Sequence, residues 1–276
     1  MRVGVLMRYT PEDLKFVTDN GFGSVELLIW PGFPLDPASS KSDDWKRAKD
    51  DFAAVNVEVS AIGFYPNMLD PKPAERKAHA KHLVSLMRVA RVMGVRDICT
   101  FAGRIPGQGI PENIPAFKQV FTPLVKRAED AGLRISFENC PGGNIAYIPR
   151  AWDLMFDAVP SESLGLEYDP SHLICLLIDP VDVIYEFGKK IFHVHAKDAE
   201  VMWKMVRRNG ITEPGTTRHR MPGMGQADFG RIINALVEVG YRGNLDIEGR
   251  HDPVYRDDME HAGLLIAKKH LEQFVA

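Results

Sequence analysis

The sequence predicts an α/β protein, a single (β/α)8 barrel that spans residues 1–276, and three observations favour this fold class. Short runs of β-branched residues alternate with longer amphipathic stretches eight times, which is typical of parallel strands joined by helices. The chain of 276 residues could hold two average domains, but barrels of about 250 residues fold as one unit. A doubly wound sheet is the alternative, and its usual glycine-rich phosphate loop does not follow the first strand.

Each predicted strand is a short apolar run that leads into a helix. The strands are predicted at residues 3–7, 24–28, 57–63, 95–101, 133–138, 164–169, 190–196 and 244–248. The helices are predicted near residues 11–20, 42–54, 74–93, 111–131, 149–158, 180–188, 227–239 and 255–275. Thr10 is a suitable N-cap for the first helix, with Pro11 at its first position. Gly94, Gly132 and Gly240 are placed to end three of the later helices.

The segment 197–226 interrupts the alternation of strands and helices. Structureless connections longer than about 12–15 residues are uncommon in compact domains and are often lids or binding loops. We therefore expect this segment to be irregular and to cover the functional site. Its cluster of Arg218, His219 and Arg220 would then lie near the mouth of the barrel, with Arg220 binding substrate.

Composition narrows the functional classes. With 45% hydrophobic and 26% charged residues, the chain resembles an ordinary globular protein. A formal net charge of −3 gives no electrostatic reason to expect a nucleic-acid partner. Cys99, Cys140 and Cys175 are scattered and should be free thiols. The N-terminal apolar run is too short for a signal peptide or a membrane span, so we expect a cytoplasmic protein without a membrane partner, and a homo-oligomer remains possible.

Four consecutive strands end in residues that bind metals. Glu138 ends the fifth strand, Asp169 the sixth and Glu248 the eighth, and His195 lies on the seventh. Carboxyl ends of barrel strands meet at one face, where three carboxylates would repel one another unless a cation neutralised them. The oxygen-rich set favours Mn²⁺, with Mg²⁺, Co²⁺ or Zn²⁺ as alternatives. A single strand-end carboxylate is often only a helix cap, but four in succession argue for a metal site.

Further polar residues lie near the same strand ends. His172 follows Asp169 by three residues, and Lys197 and Asp198 directly follow the seventh strand. His193 shares the inward face of that strand with His195, and Glu26 has an inward position on the second strand. We predict that these five residues bind substrate. The structural alternatives are that the histidines belong to the core and that the charged residues form buried ion pairs. The five are Glu26, His172, His193, Lys197 and Asp198.

At these residues the sequence resembles the xylose-isomerase-like barrel superfamily, in the sugar phosphate isomerase/epimerase branch that includes ketose 3-epimerases and inosose dehydratases. The resemblance covers essentially the whole chain and is carried by SFENC, EYDPSHL, FHVHAKD, PGMGQADFGRIINAL and GYRGNLDIEGR. It implies that Glu138, Asp169, His195 and Glu248 hold the metal, that the two glutamates also move the proton, and that His172 binds a substrate oxygen. Two departures put epimerase specificity in doubt: Val201 replaces an arginine, and PGGN replaces a segment containing a glutamate.

The resulting functional hypothesis is a metal-dependent sugar isomerase or epimerase. Glu138 or Glu248 would remove a proton next to a carbonyl, the metal would stabilise the enediolate, and the other glutamate would return the proton. Loss of a β-hydroxyl would instead make the protein a lyase acting on an inosose or 3-keto sugar derivative. A DNA-repair nuclease would need further histidines after strands three and four, which the sequence lacks. A sugar-binding or partner subunit without catalysis is the remaining alternative.

Overall fold

The computed structural model describes residues 1–275 and shows a closed barrel of eight parallel strands, each hydrogen-bonded to two neighbours. The strands run around the barrel in chain order, and the last pairs with the first. They are β1 (Val3–Met7), β2 (Ser24–Leu28), β3 (Glu58–Phe64), β4 (Asp97–Thr100), β5 (Arg134–Glu138), β6 (Leu164–Tyr168), β7 (Ile191–Ala196) and β10 (Leu245–Ile247). The (β/α)8 prediction is confirmed, with the strand bounds shifted by at most a few residues.

Ten helices are present among residues 1–275, and eight of them correspond to the predicted ones. They are α1 (Pro11–Asp19), α2 (Ser42–Ala54), α3 (Pro73–Met93), α4 (Ile110–Asp130), α5 (Pro149–Ala158), α6 (Pro170–Cys175), α7 (Pro180–Phe187), α8 (Trp203–Asn209), α9 (Phe229–Glu238) and α10 (Glu260–Leu271). The signals at the start of α1 act as expected, because the Thr10 hydroxyl accepts a hydrogen bond from the Asp13 amide. Gly94 ends α3 in the left-handed conformation, with a φ of 76°. The short helix α6 was not predicted.

One large apolar cluster fills the space between the barrel and its helices, and most strand positions are fully buried. The interior of the barrel is polar by contrast, with carboxylates and imidazoles on the inward faces of several strands. Gly4 on β1 leaves room for one of them, since a Cβ there would lie 1.9 Å from Asp246 Oδ1. The three cysteines are free, as predicted. Within residues 1–275, no helix combines the length and the apolar character needed to cross a membrane.

The segment after β7 is ordered, so the expectation of an irregular loop is wrong. Strand β8 (Asp198–Val201) pairs antiparallel with β9 (Thr217–Arg220), and α8 connects them. We call residues 198–220 the hairpin. Ala199 and Val201 of the hairpin pack on Ile174 of α6 in a second, small apolar cluster. The hairpin therefore lies against the helix that follows β6.

Asp198 anchors the base of the hairpin. Its carboxylate accepts hydrogen bonds from the backbone amides of Ala199, Gly223, Gly225 and Ala227, at distances of 2.7 to 3.1 Å. Both carboxylate oxygens are thus engaged with the chain itself. These contacts give Asp198 a structural role in holding the loop, and its role in substrate binding stays a prediction.

Removing this anchor should destabilise the protein. Asp198→Ala leaves four backbone amides without their acceptor, and we expect the free energy of unfolding to fall by about 3 kcal/mol. Urea denaturation measures this change. Glu200→Gln on the same strand is the control, because Glu200 pairs only with the partly exposed Arg218 and should cost less than about 1 kcal/mol. Equal losses in the two variants would contradict the anchoring role.

Candidate metal centre

The barrel brings four predicted metal ligands together at the carboxyl ends of its strands. Glu138 is the last residue of β5, Asp169 is the N-cap of α6 directly after β6, His195 lies on β7, and Glu248 follows β10. One ligand atom from each of the four lies within 4.8 Å of the others. Glu138, Asp169 and His195 are buried, and Glu248 is only slightly exposed. We call these four side chains the upper cluster.

Two atoms of the upper cluster are buried without a hydrogen-bond partner among the residues that the structure describes. They are Asp169 Oδ2 and His195 Nδ1. Asp169 Oδ2 has two charged neighbours, Lys197 Nζ at 3.1 Å and His172 Nε2 at 3.4 Å, but neither forms a hydrogen bond to it. Buried polar atoms in proteins are almost always hydrogen-bonded, so this oxygen and the His195 nitrogen can each accept a further partner. A divalent cation can be bound by both atoms, the carboxylate oxygen and the imidazole nitrogen. The residues present therefore fit a metal ion.

Neighbouring side chains hold Asp169 rigidly. Its amide donates to Asn139 Oδ1 at 2.7 Å, and Asn139 Nδ2 donates back to its carbonyl at 2.8 Å. Its Oδ1 accepts the Ser171 amide at 2.8 Å, whereas Oδ2 faces the cluster, 3.1 Å from Lys197 Nζ. One carboxylate oxygen is thus used for structure and the other is available for a ligand.

Lys197 and His172 contact the carboxylates of the upper cluster. Lys197 Nζ donates to Glu248 Oε2 at 2.6 Å and lies 3.1 Å from Asp169 Oδ2. His172 Nε2 lies 3.3 Å from both Lys197 Nζ and Glu138 Oε1. Burial opposes the charged ammonium, but Asp169 and Glu248 outweigh it and hold the pKa of Lys197 well above its usual range. The charged ammonium group of Lys197 is therefore buried among the carboxylates.

The hairpin covers this centre through His219 of β9. The His219 ring meets the His172 ring edge-on, with 4.9 Å between centroids. Burial, followed by the charges of Lys197 and His172, lowers the pKa of His219 to about 4. The His219 side chain that covers the site is therefore neutral at pH 7.

The two arginines beside His219 have structural contacts. Arg218 forms a surface ion pair with Glu200 at 2.8 Å. Arg220 donates from Nε to the Met224 carbonyl at 3.3 Å and lies 3.6 Å from the buried Asp252 carboxylate. These contacts make Arg220 a support of the segment after the hairpin, and its role in substrate binding stays a prediction.

Glu26 and His193 lie deeper in the barrel than predicted. His193 Nδ1 lies 2.9 Å from Glu167 Oε1, and its Nε2 lies 2.9 Å from Asp246 Oδ2. Glu26 Oε2 lies 2.6 Å from His195 Nε2, below that ring. Both residues are buried and bonded to protein groups, and their contact with substrate stays a prediction.

Sequence reasoning missed Glu167 and Asp246, although a signal for both was present. Each precedes a predicted ligand by two residues, Glu167 before Asp169 and Asp246 before Glu248, and alternate strand residues share a face. With Glu26, His193 and Tyr65 they form what we call the lower cluster. The Tyr65 hydroxyl contacts Glu26 and lies 2.9 Å from Glu167 Oε2.

Three residues of the lower cluster, Glu26, Glu167 and His193, form a second group of metal-ligating atoms together with His195 of the upper cluster, all within 4.8 Å of one another. The hydrogen bonds distinguish the two clusters. Glu26, Glu167 and both nitrogens of His193 contact protein partners, and none of these side chains is among the buried unpaired groups of residues 1–275. Burial, followed by the charge of Glu26, raises the pKa of Glu167 to about 7. The structure thus favours the upper cluster for the cation.

The chain is similar in sequence to a known barrel family and to several bacterial proteins. A family model described as a xylose isomerase-like TIM barrel matches residues 14–269. The uncharacterised protein YfiH of Bacillus subtilis (strain 168) is 24% identical over 274 residues, which cover 85% of this chain and 86% of that protein. The inosose dehydratase of Clostridium beijerinckii is 29% identical over 158 residues. That alignment covers 54% of this chain and about half, 51%, of the dehydratase.

Solved structures show the same fold across the whole chain. The IolI protein, solved with a bound zinc atom, superposes with a TM-score of 0.78 at 18% identity, and the match covers 100% of both chains. A D-tagatose 3-epimerase-like protein superposes with a TM-score of 0.75 at 20% identity, covering 99% of this chain and 98% of that one. At these identities the likeness supports the fold.

Proposed function

Because the chain belongs to the xylose isomerase-like TIM barrel family, we propose that it is a divalent-metal-dependent enzyme that removes a proton next to a carbonyl in a sugar or sugar derivative. The observation that carries this proposal is the upper cluster, in which Glu138 and Glu248 share one cation position with Asp169 and His195 atoms that accept no hydrogen bond. Binding a sugar does not require paired carboxylates at that position, whereas removing a proton with one base and returning it with another does.

The proposed cation would be held by Glu138, Asp169, His195 and Glu248. Three carboxylates and one imidazole form an oxygen-rich set, which supports Mn²⁺ as the first candidate and leaves Zn²⁺ as the second. Once bound, the cation would supply Lewis-acid polarisation of the substrate carbonyl.

We assign the remaining catalytic and binding roles to the side chains around the cluster. Glu138 and Glu248 would take and return the proton at the carbon next to the carbonyl. Lys197 Nζ and His172 Nε2 point into the same space and would donate hydrogen bonds to substrate oxygens. His219 and the hairpin would exclude water from the reacting carbon.

We propose isomerisation or epimerisation as the first candidate reaction, because two carboxylates at one centre allow removal and return of a proton. Curated relatives named inosose dehydratase support dehydration as the second candidate. The position of Lys197 also favours it, since a buried ammonium 2.6 Å from a catalytic carboxylate is suited to assist a departing hydroxyl. The two reactions share the first proton transfer and diverge afterwards.

A substrate panel tests the proposal. The purified protein, loaded with Mn²⁺ or Zn²⁺, is incubated in D₂O with ketohexoses, inososes and 3-keto sugars, and products are followed by NMR and mass spectrometry. Isomerisation or epimerisation keeps the elemental composition and exchanges a carbon-bound hydrogen for solvent deuterium, whereas dehydration lowers the mass by one water. The EDTA-treated protein is the control and should be inactive. Turnover that persists without metal would contradict the proposal.

A further inference from the structure

The side chain of Glu26 makes the shortest contact to the His195 imidazole from below. Its Oε2 lies 2.6 Å from His195 Nε2, and both residues are buried. The other ring nitrogen, Nδ1, faces the upper cluster, at 3.6 Å from Glu138 Oε1 and 3.5 Å from Glu248 Oε2. One nitrogen of the ring is thus held by a carboxylate, and the other is directed at the cation position.

The fold is built to keep the Glu26 carboxylate in this place. The Tyr65 hydroxyl contacts its other oxygen, Oε1. Gly63 on the neighbouring strand leaves the necessary space, because a Cβ there would lie 2.3 Å from the same oxygen. The orientation of Glu26 is therefore fixed by packing on one side and by two hydrogen bonds.

We propose that Glu26 is a positioning residue for the metal centre: it accepts the Nε2–H hydrogen of His195 and so directs the Nδ1 lone pair at the cation. A histidine ligand commonly donates its second ring N–H to a carboxylate, which fixes the ring and strengthens the ligand, and loss of such a partner costs about 10- to 100-fold in metal affinity. This inference rests on the proposed function, since it assigns a cation to the upper cluster.

Glu167 is the matched comparison because it also lies near His195 Nε2, at 3.1 Å. The same Glu167 oxygen is 2.9 Å from His193 Nδ1, so Glu167 is tied to His193 as well as to the ligand ring. Both glutamates are fully buried. The pair therefore separates a general effect of a buried carboxylate from the specific contact made by Glu26.

The test measures the affinity for Mn²⁺ or Zn²⁺ by calorimetry and the metal-induced rise in melting temperature, each relative to the metal-free protein. Glu26→Gln keeps the length and an acceptor oxygen, and its affinity should stay within about threefold of wild type. Glu26→Asp keeps the charge but withdraws the carboxylate, and its affinity should fall about 10- to 100-fold. Glu167→Gln should bind metal nearly as well as wild type.

The outcomes distinguish failure of the proposed function from failure of the positioning role of Glu26. If the wild-type protein binds no divalent metal, the proposed function fails along with its cation site. If wild type binds metal and Glu26→Asp binds it equally well, only the positioning role of Glu26 is overturned. The positioning role is also overturned if Glu26→Gln loses affinity while Glu26→Asp keeps it, because charge rather than position would then be decisive. A merely structural role would lower the melting temperature with and without metal by the same amount.

Discussion

Glu138→Gln and Glu248→Gln are each expected to lower turnover by about 10²- to 10⁴-fold and to abolish solvent exchange at the carbon next to the carbonyl. Glutamine keeps the shape of the side chain and an oxygen that can face the cation, but it cannot accept the proton. The two glutamates lie in the same cluster of ligand atoms, so each can reach a substrate bound there. Exchange is measured by NMR in D₂O with the metal-loaded protein and its best substrate.

A surface glutamate provides the control for these two substitutions. Glu162 is 99% exposed, and Glu162→Gln should leave both turnover and exchange unchanged. If each of the two cluster variants kept wild-type exchange, proton transfer by paired glutamates would be refuted. Loss in one variant alone would assign the exchange step to that residue.

Lys197→Met is expected to uncouple metal binding from catalysis. Methionine fills a similar volume without the ammonium, which lies 2.6 Å from Glu248 Oε2 and 3.1 Å from Asp169 Oδ2. Removing a positive charge so close to the ligands reduces repulsion of the incoming cation, and the affinity for Mn²⁺ should rise by about tenfold or more. Turnover should fall by about 10²-fold or more, because a donor to the substrate is lost.

Calorimetry and steady-state rates measure the two effects of Lys197→Met separately. The metal-free variant should also unfold at a lower temperature than wild type, because its carboxylates lose their internal cation. Lys204→Met, in the short helix of the hairpin connection, is a control that should change neither metal affinity nor turnover. Weaker metal binding in Lys197→Met would contradict this account of Lys197.

The barrel was predictable because its elements are encoded locally. Apolar runs, Thr10 as a cap and Gly94 as a stop each act within a few residues of their own position. The hairpin was not predictable in this way. Its strands have four residues each and are held by Asp198, whose carboxylate reaches amides as far along the chain as Ala227. Such long-range hydrogen bonds leave little trace in local sequence patterns.

The sequence predicted which side chains face the barrel interior, but not how far from the mouth of the barrel each side chain lies. A period of two places His193 and His195 on the same inward face, and the strand ends identify the mouth of the barrel. Depth depends on the register between strands, in which Asp246 of β10, rather than Glu248, is level with His195. The contacts of His193 with Glu167 and Asp246, and of Glu26 with His195 Nε2, join residues from four strands, and only the assembled barrel reveals them.

The most direct test of the central claim is a crystal structure of the protein soaked with Mn²⁺, with anomalous diffraction data collected to locate the ion. We expect one strong peak bound by Glu138, Asp169, His195 Nδ1 and Glu248, with Glu26 still bonded to His195 Nε2. A peak bound instead by Glu26, Glu167 and His193 in the lower cluster, or no peak in the barrel at saturating Mn²⁺, would contradict it.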